Sequence, residues 1–391
     1  MRARPLLPTL SFLLLTVGCA DDRQVPANET SSGTEGDSQA DDEGNSEVES
    51  SATDSSGGND TDTGETGEEP LDPDEGITFD PAVGVNIAGI TANQGVMIPI
   101  SNGNQWVDGP DRNAPLVSKR DTLVRVFFVL EPGQTSKQVQ CRLQIIREDG
   151  EHQEFWQDFT VTETSQTNNL DTTCNFKLNS ENGETGYGTK FRASLWEYTE
   201  SGSTNPPNAA PVDLELVGYE PHEMYIRMTM VPFQHENNPD PPLAQHEQTF
   251  NDWLFEQNPV QYVEMSTHAP VPNGSGSLSG ILAQLDQLRV VEDVDFNMYY
   301  FGFVNTGQQW GTVGLAPLGG FVGSALWRSS ISGNAGTFVH EVGHDQDMGH
   351  IDCPTGGMAP FEVYPYADGY IGIPGYGLRT DELYRSHSAF N

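Results

Sequence analysis

The sequence predicts a multidomain chain, with an N-terminal β-sandwich followed by an α+β domain. Two patterns lead to this, and a third feature sits in front of both. Between residues 80 and 221 short apolar runs recur between Pro/Gly turn signals, the pattern of an all-β domain. From 222 to 391 apolar runs alternate with segments of helical spacing. The stretch before residue 80 is polar and acidic, and it pulls the apolar fraction of the 391-residue chain down to 35%.

The first 19 residues read as an export signal. Arg2 and Arg4 provide a positive start, and residues 6–17 an apolar core too short to span a bilayer as a helix. The run Thr16-Val17-Gly18-Cys19 resembles the lipobox of bacterial lipoproteins, which makes Cys19 the expected lipidation site. Thr16 stands where leucine is usual, so simple secretion is the alternative. The chain is thus expected at the cell surface or outside the cell, touching a membrane only through its lipid anchor.

Residues 20–79 read as a disordered tether. From Ala20 to Ile77 there are 19 Asp and Glu against one basic residue, Arg23, about half of the net charge of −39. Such a composition cannot bury enough apolar surface to offset its chain entropy. A flexible chain of this length reaches roughly 40–45 Å. The rest of the chain is acidic as well, which argues against binding nucleic acid through its phosphates.

Within 80–221, strands are expected at 123–130, 139–146, 155–161 and 191–198, with Glu131-Pro132-Gly133 and Glu148-Asp149-Gly150 as turns. No catalytic constellation falls in this part, which reads as an accessory domain. Cys141 and Cys174 lie in it and are candidates for a disulfide in an exported chain. Cys353 is then left over.

The C-terminal part, 222–391, opens on an apolar strand at 224–231. A helix is expected at 245–257, ending before Pro259, and a strand at 260–265. Leu278, Ile281, Leu282, Leu285 and Leu288 have helical spacing, with Ser277 placed to cap them. An aromatic strand at 296–304 leads to a glycine-rich stretch at 311–323. A helix over 335–345 follows.

That last helix carries the chemistry. It contains His340-Glu341-Val342-Gly343-His344, and His350 comes six residues later. Histidines four apart share a helix face, so both imidazoles can reach one Zn²⁺ at about 2.0–2.1 Å. Glu341, beside the first ligand, is the expected general base for a zinc-activated water. For His350 to be the third ligand, the chain must leave the helix and turn back. The pattern H-E-x-x-H-x-x-G-x-x-H uses glycine at that turn. Here the position is Asp347, a residue type that visits positive φ more readily than most. Two other readings remain open: Glu362 as third ligand, and a surface helix with three unrelated histidines.

The histidine pattern resembles that of the metzincins. With Tyr364-Pro365-Tyr366-Ala367-Asp368-Gly369-Tyr370-Ile371-Gly372 and Gly375-Tyr376-Gly377 it is similar to the secreted StcE-like zinc endopeptidases, from Met224 to the end. The resemblance implies a zincin-like catalytic domain with one Zn²⁺ on His340, His344 and His350, and Glu341 as catalytic base. It also implies that Gly314 to Gly320 lies near an edge strand that pairs with an extended substrate. The implied substrates are extracellular proteins, O-glycosylated ones included. A methionine turn is expected after the Gly-Tyr segment. Met358 is the only methionine beyond His350, and the chain is expected to be incomplete at its C-terminus. The rival expectation is a surface-anchored binding lipoprotein with a degenerate, inactive zincin domain.

Overall fold

A computed structural model describes residues 79–198, 208–307, 312–350 and 372–384. Cys19, the acidic segment up to Thr78, Cys353, Met358, Glu362 and Tyr364 to Ile371 lie outside the described residues.

The first part is built from β1 (Phe79–Pro81), β2 (Val85–Asn93), β3 (Met97–Asn102), β4 (Gln105–Trp106), β5 (Leu116–Val117), β6 (Thr122–Leu130), β7 (Lys137–Ile146), β8 (His152–Val161), β9 (Cys174–Leu178), β10 (Lys190–Tyr198), β11 (Asn208–Leu216) and β12 (Tyr219–Glu220). One antiparallel sheet runs β1-β10-β7-β8, with β11 also paired to β10. A second runs β4-β3-β2-β6-β9. Alternation along the strands supplies the core. Val139, Cys141, Leu143 and Ile145 of β7 are buried, and they share one apolar cluster with Val124, Val126 and Phe128 of β6. The sequence pointed to four of these strands. It missed β2 and β3, which form a tight antiparallel hairpin, and β9, whose pairing partner β6 is distant in the chain.

Cys141 and Cys174 stand on different sheets and meet inside this core. The two residues considered from the sequence as disulfide partners thus lie side by side, recorded as free thiols with a hydrogen bond between them. Burial pushes the Cys174 thiol well above its usual value, so the thiolate that oxidation needs is scarce once the core has closed.

The second part holds β13 (Tyr225–Phe233), α1 (Glu247–Gln257), β14 (Tyr262–Thr267), α2 (Leu278–Val291), β15 (Met298–Val304), β16 (Gly314–Leu315), β17 (Val322–Leu326) and α3 (Ile331–Asp345). Its sheet order is β14-β13-β15-β17-β16. The first four strands are mutually parallel, and β16 pairs antiparallel at one edge. Both faces of the sheet are covered, which is why its strands read as continuous apolar runs. Phe250 and Leu254 of α1 and Phe338 and Val342 of α3 pack on one face, with Phe301 and Phe303. Leu278, Ile281 and Leu285 of α2 pack on the other, with Val231, Phe233 and Val304. Ser277 accepts the Gly280 amide at 3.2 Å and caps α2.

A last pair, β18 (Gly375–Tyr376) and β19 (Leu383–Tyr384), returns to the first part. Met97 donates its amide to the Pro374 carbonyl, and Tyr376 donates to that of Gly95. The described residues are thus rich in β-structure, form several sheets, and include few helices.

Candidate metal centre

Helix α3 starts one turn earlier than its sequence pattern suggests. Ser330 is the N-cap and accepts the Gly333 amide at 3.1 Å. Glycines at 333, 336 and 343 are poor helix formers, so packing must hold this helix. Phe338 does so, meeting Phe301 edge-on at a centroid distance of 4.9 Å and Phe250 at 5.4 Å. Truncating such a buried aromatic typically costs about 3–5 kcal/mol.

The end of the helix decides whether the third histidine can join the other two. Gln346 is the C-cap, and Asp347 follows at φ +68°. The Asp347 amide donates to the His344 carbonyl, and the Met348 amide to that of Gly343, both at 2.9 Å. These two bonds form a Schellman motif, which requires a left-handed residue at this position. Asp347 therefore does the backbone work expected of the missing glycine, while Gly349 keeps negative φ. Gly319, itself left-handed at φ +66°, donates a second amide to the His344 carbonyl at 2.9 Å.

The turn brings the three imidazoles together. His350 Nε2 lies 3.1 Å from His340 Nε2 and 3.0 Å from His344 Nε2. His344 Nδ1 is 2.7 Å from the Met348 carbonyl, which only accepts, so Nδ1 carries the proton and Nε2 presents a bare lone pair. A single N–H shared between the two contacts satisfies neither well, which leaves the crowded ring nitrogens in mutual repulsion. A cation at the centre relieves this repulsion. Three nitrogens bound tetrahedrally at 2.0–2.1 Å would sit about 3.3 Å apart, close to the two spacings that His350 makes, and all three lie within 4.8 Å of one another. Burial, and then the neighbouring imidazoles, push His340 down to about 4, and His350 shifts the same way. Both are neutral near pH 7, the form that binds metal. Among the described residues this is the one cluster of three His, Cys, Asp or Glu groups with metal-ligand spacing.

Glu341 turns from the triad into the space under β16. It is buried, and the Ala316 amide donates to its carboxylate. Desolvation, and then the Asp345 charge one helical turn away, push its pKa up to about 8. A cation at the triad would draw that value down. The fit is tight, since a Cβ on Gly314 would stand 2.4 Å from Glu341 Oε1. Asp345 is buried against Gly320, where a Cβ would lie 2.8 Å from Oδ1. Its pKa is pushed up to about 8 by burial, against the pull of Arg289.

The sequence pattern named His340, Glu341, His344 and His350, and the structure brings all four to one place. It placed Gly314 and Ala316 only near a substrate-pairing edge strand, with no part in holding Glu341, and gave Asp345 no role. A glycine beside a strand edge was the available signal at Gly314. Ala316 acts through a contact distant in sequence, and Asp345, one helical turn from Glu341, owes its effect to a burial that spacing does not reveal. Glu362 and Met358 lie outside the described residues, and the Cys141–Cys174 pair belongs to the first part.

No protein-family model matches the chain, and no curated protein matches it. Among solved structures, a calcium-binding mutant of Bacteroides uniformis beta-glucuronidase 2 matches at 9% identity and a TM-score of 0.17. A second Bacteroides uniformis beta-glucuronidase structure matches at 10% identity and the same TM-score. Each match covers 56% of this chain and 24% of the other, so the chain spans about a quarter of the length of those enzymes. A TM-score of 0.17 is too low to carry fold or activity across.

Proposed function

We propose that this chain is a zinc-dependent endopeptidase with a zincin-like catalytic part, exported and held at the cell surface by a lipid on Cys19. The observation that carries the reading is the convergence of three imidazoles, with the Nε2 atoms of His340 and His344 each within 3.1 Å of His350 Nε2, beside a buried glutamate one residue from the first ligand. Three imidazole nitrogen donors are a ligand set that suits zinc and leaves a coordination position for substrate. Bound there, zinc supplies Lewis acidity for a peptide carbonyl and lowers the pKa of water.

The protein's own groups do the rest. Glu341 is the base: its carboxylate accepts the water proton and passes it to the leaving amine. The Ala316 amide orients that carboxylate, and the walls under β16 keep it from bulk water. Strand β16 lies at the sheet edge, hydrogen-bonded to β17 on one side. Its other side is suited to pair with an extended peptide, giving affinity through main-chain bonds. The substrate class, extracellular proteins including O-glycosylated ones, rests on the sequence resemblance. The rival reading as an inactive binding lipoprotein drew on Asp347 and on the methionine turn expected after the Gly-Tyr segment; the left-handed backbone at Asp347 speaks against the first ground, and Met358 lies outside the described residues.

The test pairs metal content with hydrolysis. Wild-type protein should carry about one zinc, and His344→Ala should lose it. Glu341→Gln should keep the zinc and lose roughly 10²–10⁴-fold in peptide hydrolysis. Undiminished hydrolysis in Glu341→Gln would remove the base, and a metal-free wild type would remove the zinc.

A further inference from the structure

We infer that Arg120, in the first part of the chain, is a positioning residue for the histidine turn and acts through Asn258 and Gln346. The inference rests on the triad being a metal site. Arg120 lies between β5 and β6 and is 1% exposed. Its guanidinium donates three bonds, from Nε to the Gln94 carbonyl at 3.1 Å, from Nη1 to Val260 at 2.5 Å and from Nη2 to Phe255 at 2.8 Å. It also stacks on the Phe255 ring at 3.9 Å. Burial pushes its pKa down to about 9, so it stays charged at neutral pH.

The two carbonyls it grips in the second part, those of Phe255 and Val260, flank Asn258. They hold the turn by which the chain leaves α1. Asn258 is fixed within that turn: its Nδ2 donates to Leu254 at 2.8 Å, and its carbonyl accepts the Val260 amide at 2.9 Å. Its Oδ1 accepts from Gln346 Nε2 at 2.9 Å. Gln346 is the C-cap of α3, between His344 and left-handed Asp347. His350 lies past the helix end, so residues 346–349 set its place relative to His340 and His344.

A guanidinium is a costly way to seal an interface that an apolar side chain would close without desolvating a charge. What it adds is geometry, because a rigid planar fork fits only carbonyls that are held in place. The chain of contacts therefore transmits a fixed orientation from the first part to the turn that carries the third ligand. Groups that orient metal ligands in this way typically change metal affinity 10- to 100-fold when removed.

The experiment uses the full chain with Gln346→Ala, Asn258→Ala, the double variant and Arg120→Lys, each checked for native circular dichroism and melting. Hydrogen exchange at the Asp347 and Met348 amides is measured without metal. Zinc affinity and the visible spectrum of the cobalt-substituted protein are measured with it. The expected results are exchange roughly tenfold faster in each single variant, zinc binding weakened 10- to 100-fold, and shifted cobalt bands. The double variant should be little worse than either single one. Unchanged exchange in all variants overturns the inference even if the wild type binds zinc. Faster exchange in a wild type that takes up no zinc would uphold the positioning and discard the metal reading instead.

Discussion

Two single residues decide the local geometry of the histidine cluster and its glutamate. Asp347 sits at φ +68°, a region that costs most L-residues about 1–2 kcal/mol and Asp less. Asp347→Gly should therefore raise the melting temperature slightly and leave zinc affinity equal or higher. Asp347→Val should weaken zinc binding, because a β-branched residue resists this conformation. Competition against a chelator reads both, and an Asp347→Val variant that binds zinc as the wild type does would contradict the argument. Gly314 is the second. A methyl group there would meet Glu341 Oε1 at 2.4 Å, so Gly314→Ala must displace the carboxylate. It should keep zinc and lose at least tenfold in hydrolysis. Retained activity would mean that Glu341 need not sit where the structure has it.

Elements make contact through their faces, and the buried cysteines probe one such contact. Cys141 on β7 and Cys174 on β9 are 0% exposed and meet between two sheets. Folded protein should resist iodoacetamide at both positions, and guanidinium-unfolded protein should react at both, as read by peptide mapping. Rapid labelling of the folded chain would mean that the sheets open far more readily than this core implies. Helix α3 shows how much of an element is legible locally. Its His-Glu-x-x-His face follows from spacing alone. Its first turn, capped by Ser330, was missed because Gly333 and Gly336 mask the helical signal. Strand β17 was hidden in the same way: Gly323 interrupts its apolar run, and pairing with β15 and β16 defines it.

For the whole molecule, the two parts have separate apolar clusters but share polar fastenings. Arg120 reaches Phe255 and Val260, the Gly95 and Met97 backbone pairs with residues 374–376, and Lys177 meets Asp381 at 2.5 Å. The exposed ion pair adds little by itself. The buried guanidinium and the backbone bonds leave unsatisfied groups when their partners go, at about 1–3 kcal/mol each. A chain starting at residue 222 should therefore melt without clear cooperativity, whereas one starting at residue 79 should melt as a unit. Calorimetry of the two decides this. A sharp transition in the shorter chain would show that the second part stands alone.

The sequence by itself determined what is local. The spacing of His340, Glu341, His344 and His350 follows from helical periodicity and one turn, Ser277 marks a helix start, and alternation marks β7 and β10. Only the tertiary structure decided that Asp347 is left-handed, that Gly314 must lack a side chain, and that Arg120, Asn258 and Gln346 connect. A helix face or a cap depends on residues within about one turn of each other. A buried contact depends on which distant segment arrives beside it, and spacing along the chain carries no record of that.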